Sequence, residues 1–284
     1  MIMIKKLLAA MALSMTVLMP AVAADSPRLD RAPDRINDVS ALQNGAKLFV
    51  NYCLSCHSAV SMRYNKLTEI GLTEEEIKRN LLFTTDKVGD LMEIAMTTRD
   101  GANWFGAAPP DLSVIARARS VTMGPSGVDY LYTFLRGFYR DASRTTGWDN
   151  IVFPSVGMPH VLWDRQGDRT VSRTTIAQEA QDDGTQAWVQ TTQVFDAQGF
   201  STSKTEVLNN YRGSASEQFK VEPADAARAA AFDSEAADLA NFLGWMAEPV
   251  QQKRKQMGIW VLFFLVIFLG VAWRLNAAYW KDVR

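Results

Sequence analysis

The chain has 284 residues with 30 basic and 31 acidic side chains, a formal net charge of −1. That balance, with no basic stripe along the chain, gives no reason to expect nucleic acid as a partner. Apolar residues make up 48% of the sequence, enough for a sizeable core in one or two domains, and part of that share is concentrated at the two ends.

At the N-terminus, Lys5 and Lys6 precede an almost wholly apolar run over residues 7–18. Pro20 and the small residues Ala21, Val22, Ala23 and Ala24 follow. This is the pattern of a cleaved signal peptide over residues 1–24, with cleavage after Ala23 or Ala24. An uncleaved anchor is disfavoured because the run is short for a bilayer. Residues 25–250 are therefore expected to form an exported domain. Residues 38–49 are expected to form a helix, with Leu42, Gly45, Phe49 and Tyr52 on one side.

That helix leads into Cys53-Leu54-Ser55-Cys56-His57. A C-x-x-C-H run puts two thiols on one side of a turn, where each can add to a haem vinyl group, and points the next imidazole at the iron. Other readings fit less well. A zinc site needs two more ligands, and His160 is the one further His or Cys in the chain. A redox C-x-x-C pair does not require the trailing histidine and belongs in a β-α-β setting. The motif implies one covalent haem c and a role in electron transfer.

The sixth iron ligand is sought among the methionines. Five of the twelve lie in the signal peptide. Met62 is too near His57, Met92 and Met96 fall on an expected helix, and Met246 and Met257 belong to the C-terminal helices. Met123 and Met158 remain. Met158 is favoured, because Gly157 allows close backbone approach and Pro159 stiffens the loop. A thioether ligand raises the potential, whereas His160, the alternative two residues on, would lower it.

Further elements are expected in order. Thr73 and Glu76 form a capping box that opens a helix, which accounts for the acidic run Glu74, Glu75 and Glu76. Residues 106–112 make a stiff turn into a helix bearing Arg117 and Arg119. Residues 129–138 read as an apolar core helix. Residues 164–220 are polar and rich in Thr and Gln, with a turn at Asp182-Asp183-Gly184, and read as a hairpin or small sheet inserted in a helical domain. Residues 222–228 return to helical composition, and residues 236–248 form a strong helix ended by Pro249. Lys253, Arg254 and Lys255 form a charged linker within residues 251–284. Residues 257–273 carry no charge and have Trp260, Trp273, Tyr279 and Trp280 at the flanks, as in a transmembrane anchor with a short cytoplasmic tail.

Several blocks together resemble the cytochrome c1 family, the haem subunit of the cytochrome bc1 complex. They are C-L-S-C-H at residues 53–57, G-A-A-P-P-D-L-S at 106–113, A-R-A-R at 116–119 and D-Y-L-Y-T-F-L-R-G-F-Y at 129–139. G-M-P at 157–159 and D-L-A-N-F-L-G-W-M-A-E-P-V at 238–250 complete the set. The resemblance implies a mainly α, class I cytochrome c-like haem domain with a small β-rich insertion and one transmembrane helix. It implies His57 and Met158 as iron ligands, Arg119 as a propionate partner, and Pro110 and Tyr130 packed near the ring. It also implies a subunit that is not catalytic by itself, within a proton-translocating quinol–cytochrome c reductase of a bacterial inner membrane. Electrons would come from a Rieske iron–sulfur protein beside a cytochrome b subunit and leave to a soluble or tethered c-type cytochrome, in a dimer of complexes with the haem domain in the periplasm. The polar segment 164–220 is where the chain departs from the family pattern. Two other functions are weighed: a stand-alone membrane-tethered cytochrome feeding a terminal oxidase, and a haem sensor or peroxidase with an open iron position.

Overall fold

The computed structural model describes residues 29–181 and 185–281. The expected signal peptide, the Asp182-Asp183-Gly184 turn and residues 282–284 lie outside the described residues. Helix α1 (Val39–Leu48) starts where its sequence asks, with the Asp38 carboxylate accepting from the Ser40 and Ala41 N–H groups. It runs into a wide π-helical turn, Phe49–Cys53, that delivers the first cysteine.

The main core forms where α1 packs on α7 (Ala226–Ala247). Gly45 lets the two helices approach: a β-carbon there would lie 2.4 Å from the Asp238 carbonyl oxygen. The Phe49 and Phe242 rings meet beside it at 5.7 Å. Asp238 also ties this contact to neighbouring chain, pairing with Arg35 at 2.6 Å and accepting from Asn44 Nδ2 at 2.8 Å. The two helical stretches expected around 222–228 and 236–248 are one helix of 22 residues, capped by Asp225, while Glu222 still belongs to a strand.

Between these helices the chain is built from short pieces. Strands β1 (Ala59–Arg63) and β2 (Leu91–Met92) pair antiparallel, and α2 (Glu74–Asn80) carries the Thr73–Glu76 capping box. Met92 is therefore on a strand, fully buried opposite Ala59, and Met96 is in the loop beyond, not on the expected helix. Helices α3 (Thr98–Phe105), α4 (Ile115–Ala118) and α5 (Gly127–Arg136) follow. Helix α5 is shifted two residues from the expected 129–138. Ser126 and Asp129 form a capping box at its start, and Phe138 is taken into β3 (Phe138–Arg140), paired with β4 (Trp148–Asn150).

After the short helix α6 (Trp163–Gln166) the polar segment forms a four-stranded antiparallel sheet. Its strands are β5 (Arg169–Ala180), β6 (Gln186–Phe195), β7 (Ser201–Val207) and β8 (Ser216–Pro223), in spatial order β7-β6-β5-β8. With strands of this length the fold is a mix of helix and sheet, more β than the expected small insertion on a mainly α domain. The sheet is apolar chiefly at its root, where Val171, Phe195 and Phe219 pack on Tyr139 of β3. Edge strand β7 is exposed throughout and carries Lys204 and Glu206, charges of the kind that discourage edge-to-edge pairing.

Helix α8 (Gln251–Tyr279) spans 29 residues with none buried, and its most apolar window has a mean hydropathy of 2.2. At a rise of about 1.5 Å per residue it is long and apolar enough to cross a bilayer. The expected basic linker is its opening stretch, so Lys253, Arg254 and Lys255 are helical.

Candidate haem site

Cys53 ends the π-helical turn, and the Cys56 and His57 N–H groups both donate back to its carbonyl, at 3.0 and 2.8 Å. The two cysteines lie on one tight turn and form no disulfide with each other. Burial pushes the Cys53 thiol up to about 12, with Cys56 beside it adding to the effect. That is opposite to the depressed thiol a redox C-x-x-C pair uses.

The imidazole of His57 is buried and held from behind. Its Nδ1 lies 2.7 Å from the Pro110 carbonyl oxygen. A carbonyl only accepts, so Nδ1 carries the proton and Nε2 keeps the lone pair that can bind iron. Burial lowers the His57 pKa, opposed by the Pro110 bond and the Asp111 charge, which favours the neutral, ligating form.

The Pro110 carbonyl is fixed by a row of bonds between residues 58–61 and 110–113. Leu112 N donates to the Ser58 carbonyl at 2.9 Å, Val60 N to Asp111 Oδ2 at 2.8 Å, and Ser61 N to Ser113 Oγ at 2.9 Å. Asp111 Oδ1 also accepts from Ser113 N at 2.9 Å, closing the turn on itself. The P-P-D-L-S block thus acts mainly through backbone and short polar side chains. Pro110 itself is exposed, and the contribution seen for it is its carbonyl.

Tyr130, on α5, is half-buried against the main core, and the Arg119 guanidinium carbon stands 5.0 Å from its ring centre. Arg119 is exposed at the C-cap of α4, free to turn toward an anion beside that ring.

Met158 is half-buried in an irregular loop between buried Val156 and buried His160. Beyond it, Val161 and Leu162 join the core that holds Cys53 and Tyr130. A β-carbon on Gly157 would meet nothing within 4 Å, so there is room beside Met158. The two alternatives for the sixth ligand are differently placed. Met123 is fully exposed, at 104%, in a left-handed backbone conformation with φ of 59°. His160 is 2% exposed and enclosed by aromatic rings. Its imidazole stacks on Phe138 at 4.6 Å and meets the edges of Trp148 and Phe232 at 5.0 and 6.2 Å. Burial drives its pKa down to about 3, so it is neutral, and its place in the core is accounted for by the rings that enclose it. Among the described residues no three His, Cys, Asp or Glu side chains gather as a metal site. The donor set available, two thiols, one oriented imidazole and one thioether near open space, fits a c-type haem.

The His57–Pro110 bond is signalled in the sequence only by the stiff Pro-Pro turn.

A model of the Cytochrome C1 family matches residues 33–188 and 215–283. The unmatched stretch, 189–214, falls in β6, β7 and the loop after them. The chain is 38% identical over 257 residues to the ammonia monooxygenase gamma subunit of Nitrosomonas europaea, covering 90% of this chain and 89% of that one. It is 35% identical over 257 residues to cytochrome c1 of Allochromatium vinosum, covering 90% of each. It is 26% identical over 285 residues to cytochrome b/c1 of Bradyrhizobium diazoefficiens, a longer protein of which it spans 34%. With the family model matched on both sides of residues 189–214, the chain belongs to the cytochrome c1 family and carries a covalently bound haem c.

Proposed function

We propose that the chain is the electron-transfer subunit of a cytochrome bc1-type complex, taking electrons from a Rieske iron–sulfur protein and passing them to a c-type cytochrome. The observation that carries this reading is the orientation of His57. The segment that fixes its Nδ1, Pro110 to Ser113, lies within the family match and leaves the Nε2 lone pair free to bind the iron of a haem. Cys53 and Cys56 would hold the haem as thioethers, His57 and Met158 would bind its iron, Arg119 would pair with a propionate, and Pro110 and Tyr130 would lie beside the ring. The haem supplies a one-electron ferric–ferrous couple, and a methionine ligand places that couple at the high-potential end.

The chain contributes position more than chemistry. It sets the imidazole tautomer through a carbonyl, provides the thioether, and encloses one side of the site in packed apolar side chains. By this reading residues 25–250 are the haem domain, with 164–220 as its insertion. Residues 1–24 are a cleaved leader, and residues 251–284 contain the anchor and a short cytoplasmic tail. Helix α8 holds the domain on the periplasmic face of a bacterial inner membrane, beside a cytochrome b subunit and in a dimer of complexes. The name of the Bradyrhizobium relative, cytochrome b/c1, supports a cytochrome b neighbour. The chain alone turns over no substrate; the complex is a proton-translocating quinol–cytochrome c reductase. A stand-alone tethered cytochrome feeding an oxidase would use the same haem chemistry, and the family match favours the complex over it.

The test is purification of the tagged chain in mild detergent, followed by a reduced-minus-oxidised visible spectrum. Co-purifying b-type haem, with both haems reduced by quinol, is the expected result. A preparation holding c-type haem alone, in membranes where quinol reduces b-type haem but never this one, would contradict it.

A further inference from the structure

Asp149 carries a feature that the haem attachment does not use. It is 1% exposed, on β4, yet bears a carboxylate. A buried carboxylate is expensive to desolvate and persists only when donors surround it. Here Oδ1 accepts from the Asn150 N–H at 2.8 Å and from the Ser155 N–H at 2.7 Å, and Oδ2 faces Arg144 Nη2 at 2.6 Å. Arg144 Nη1 in turn donates to Ser155 Oγ at 3.0 Å.

Ser155 has φ of 61°, a left-handed conformation that a residue with a β-carbon adopts at a cost, and three residues later comes Met158. Next to it Asn150, also 1% exposed, accepts through Oδ1 from the Val152 and Phe153 N–H groups at 2.9 and 3.2 Å, while its Nδ2 donates to the Phe134 carbonyl at 2.8 Å. Two adjacent buried side chains therefore bind three of the backbone N–H groups of residues 152–155. Strand β4 is anchored in turn by pairing with β3, where Tyr139 lies opposite Asp149 and packs on Phe195 of the inserted sheet at 4.9 Å.

We propose that Asp149 is a positioning residue for the sixth haem ligand: its carboxylate, braced by Arg144, holds the loop in the strained form that presents Met158. This rests on Met158 being the ligand. Without Asp149 the Ser155 N–H and the left-handed turn lose their restraint, and the methionine competes less well for the iron.

The test uses the full chain, purified with its haem. Two quantities are read on ferric protein: the far-red methionine–iron charge-transfer band, and the affinity for added imidazole, which must displace the methionine. Asp149→Ala is expected to keep its covalent haem and to bind imidazole at least tenfold more tightly, equivalent to about 1.4 kcal/mol. Asp149→Asn, whose amide oxygen can still accept from Ser155, should recover most of that change. Should Asp149→Ala not accumulate, Arg144→Gln, at a guanidinium already 36% exposed, should move the titration the same way by about threefold. Wild-type imidazole affinity in Asp149→Ala, or in Arg144→Gln if that variant alone is obtained, would overturn the proposal. Met158→Leu separates the two claims. If it retains the far-red band, the ligand assignment fails; if it loses the band while the Asp149 variants behave as wild type, the positioning role alone fails.

Discussion

Cys53, Cys56 and His57 lie on one turn, supported by a segment about fifty residues away that meets it in an almost continuous row of hydrogen bonds. Met158 stands in a loop without regular structure, held at one side by the buried Asp149 and Asn150 and at the other by His160 in its aromatic box. The placing of the two cysteines is local and follows from the spacing of five residues, while the imidazole tautomer is set by the distant Pro110 carbonyl. The Met158 side is assembled from α5, the β3–β4 pair, α7 and, behind them, the inserted sheet. On the attachment side one distant turn, residues 110–113, supplies the support. A thioether held by a loop alone depends on everything that holds the loop.

Replacing both Cys53 and Cys56 by Ala breaks the attachment side outright. No covalent haem should survive denaturing electrophoresis, whatever non-covalent haem the fold still binds. Met158→Leu breaks the other side only. Haem should remain attached while the midpoint potential falls on the order of hundreds of millivolts, within the roughly 0.8 V that axial ligands command. An unchanged redox titration would remove Met158 from the iron.

Phe195→Ala asks how far support for the ligand side extends. Phe195 is 3% exposed at the root of the sheet, against Tyr139. Its truncation should destabilise the sheet by about 3 kcal/mol. Haem content should not change, and denaturant unfolding should show the sheet and the far-red band weakening together. Loss of the sheet with an undisturbed band would confine its influence to its own root. The smallest effect is expected from Asp111→Ala, which removes the acceptor of the Val60 and Ser113 N–H groups at an exposed site. A loss of about 1 kcal/mol in unfolding free energy is expected, with the ligand band intact.

The same contrast explains what was legible in the sequence. The Thr73–Glu76 capping box, the C-x-x-C-H turn and the apolar α8 are read from neighbours within four residues or from unbroken hydropathy. Helix α5 was misplaced by two residues because Phe138 fits an apolar helical face equally well, and the competing choice, pairing with Asn150, is a tertiary contact. Met92 was assigned to a helix for the same reason, since its partner Ala59 lies thirty-three positions earlier in the sequence. The inserted sheet is legible as β by composition and close to its bounds, but its four strands are not, because strands of Thr and Gln bury little and carry no strong alternation. Asp149 and Asn150 look like surface turn residues in sequence. Their burial comes from the β3–β4 pairing and, for Asn150, the contact with α5, and no local pattern announces that.

The most direct measurement is quinol-driven reduction of this haem in membranes, comparing the wild-type chain with Met158→Leu at equal haem content. In the wild type, quinol should reduce the c-type haem together with b-type haem. In the variant the b-type haem should still be reduced while the c-type haem stays oxidised, because its couple has dropped below that of the donor. Equal and complete reduction of the c-type haem in both, at the same potential, would contradict a high-potential haem held between His57 and Met158.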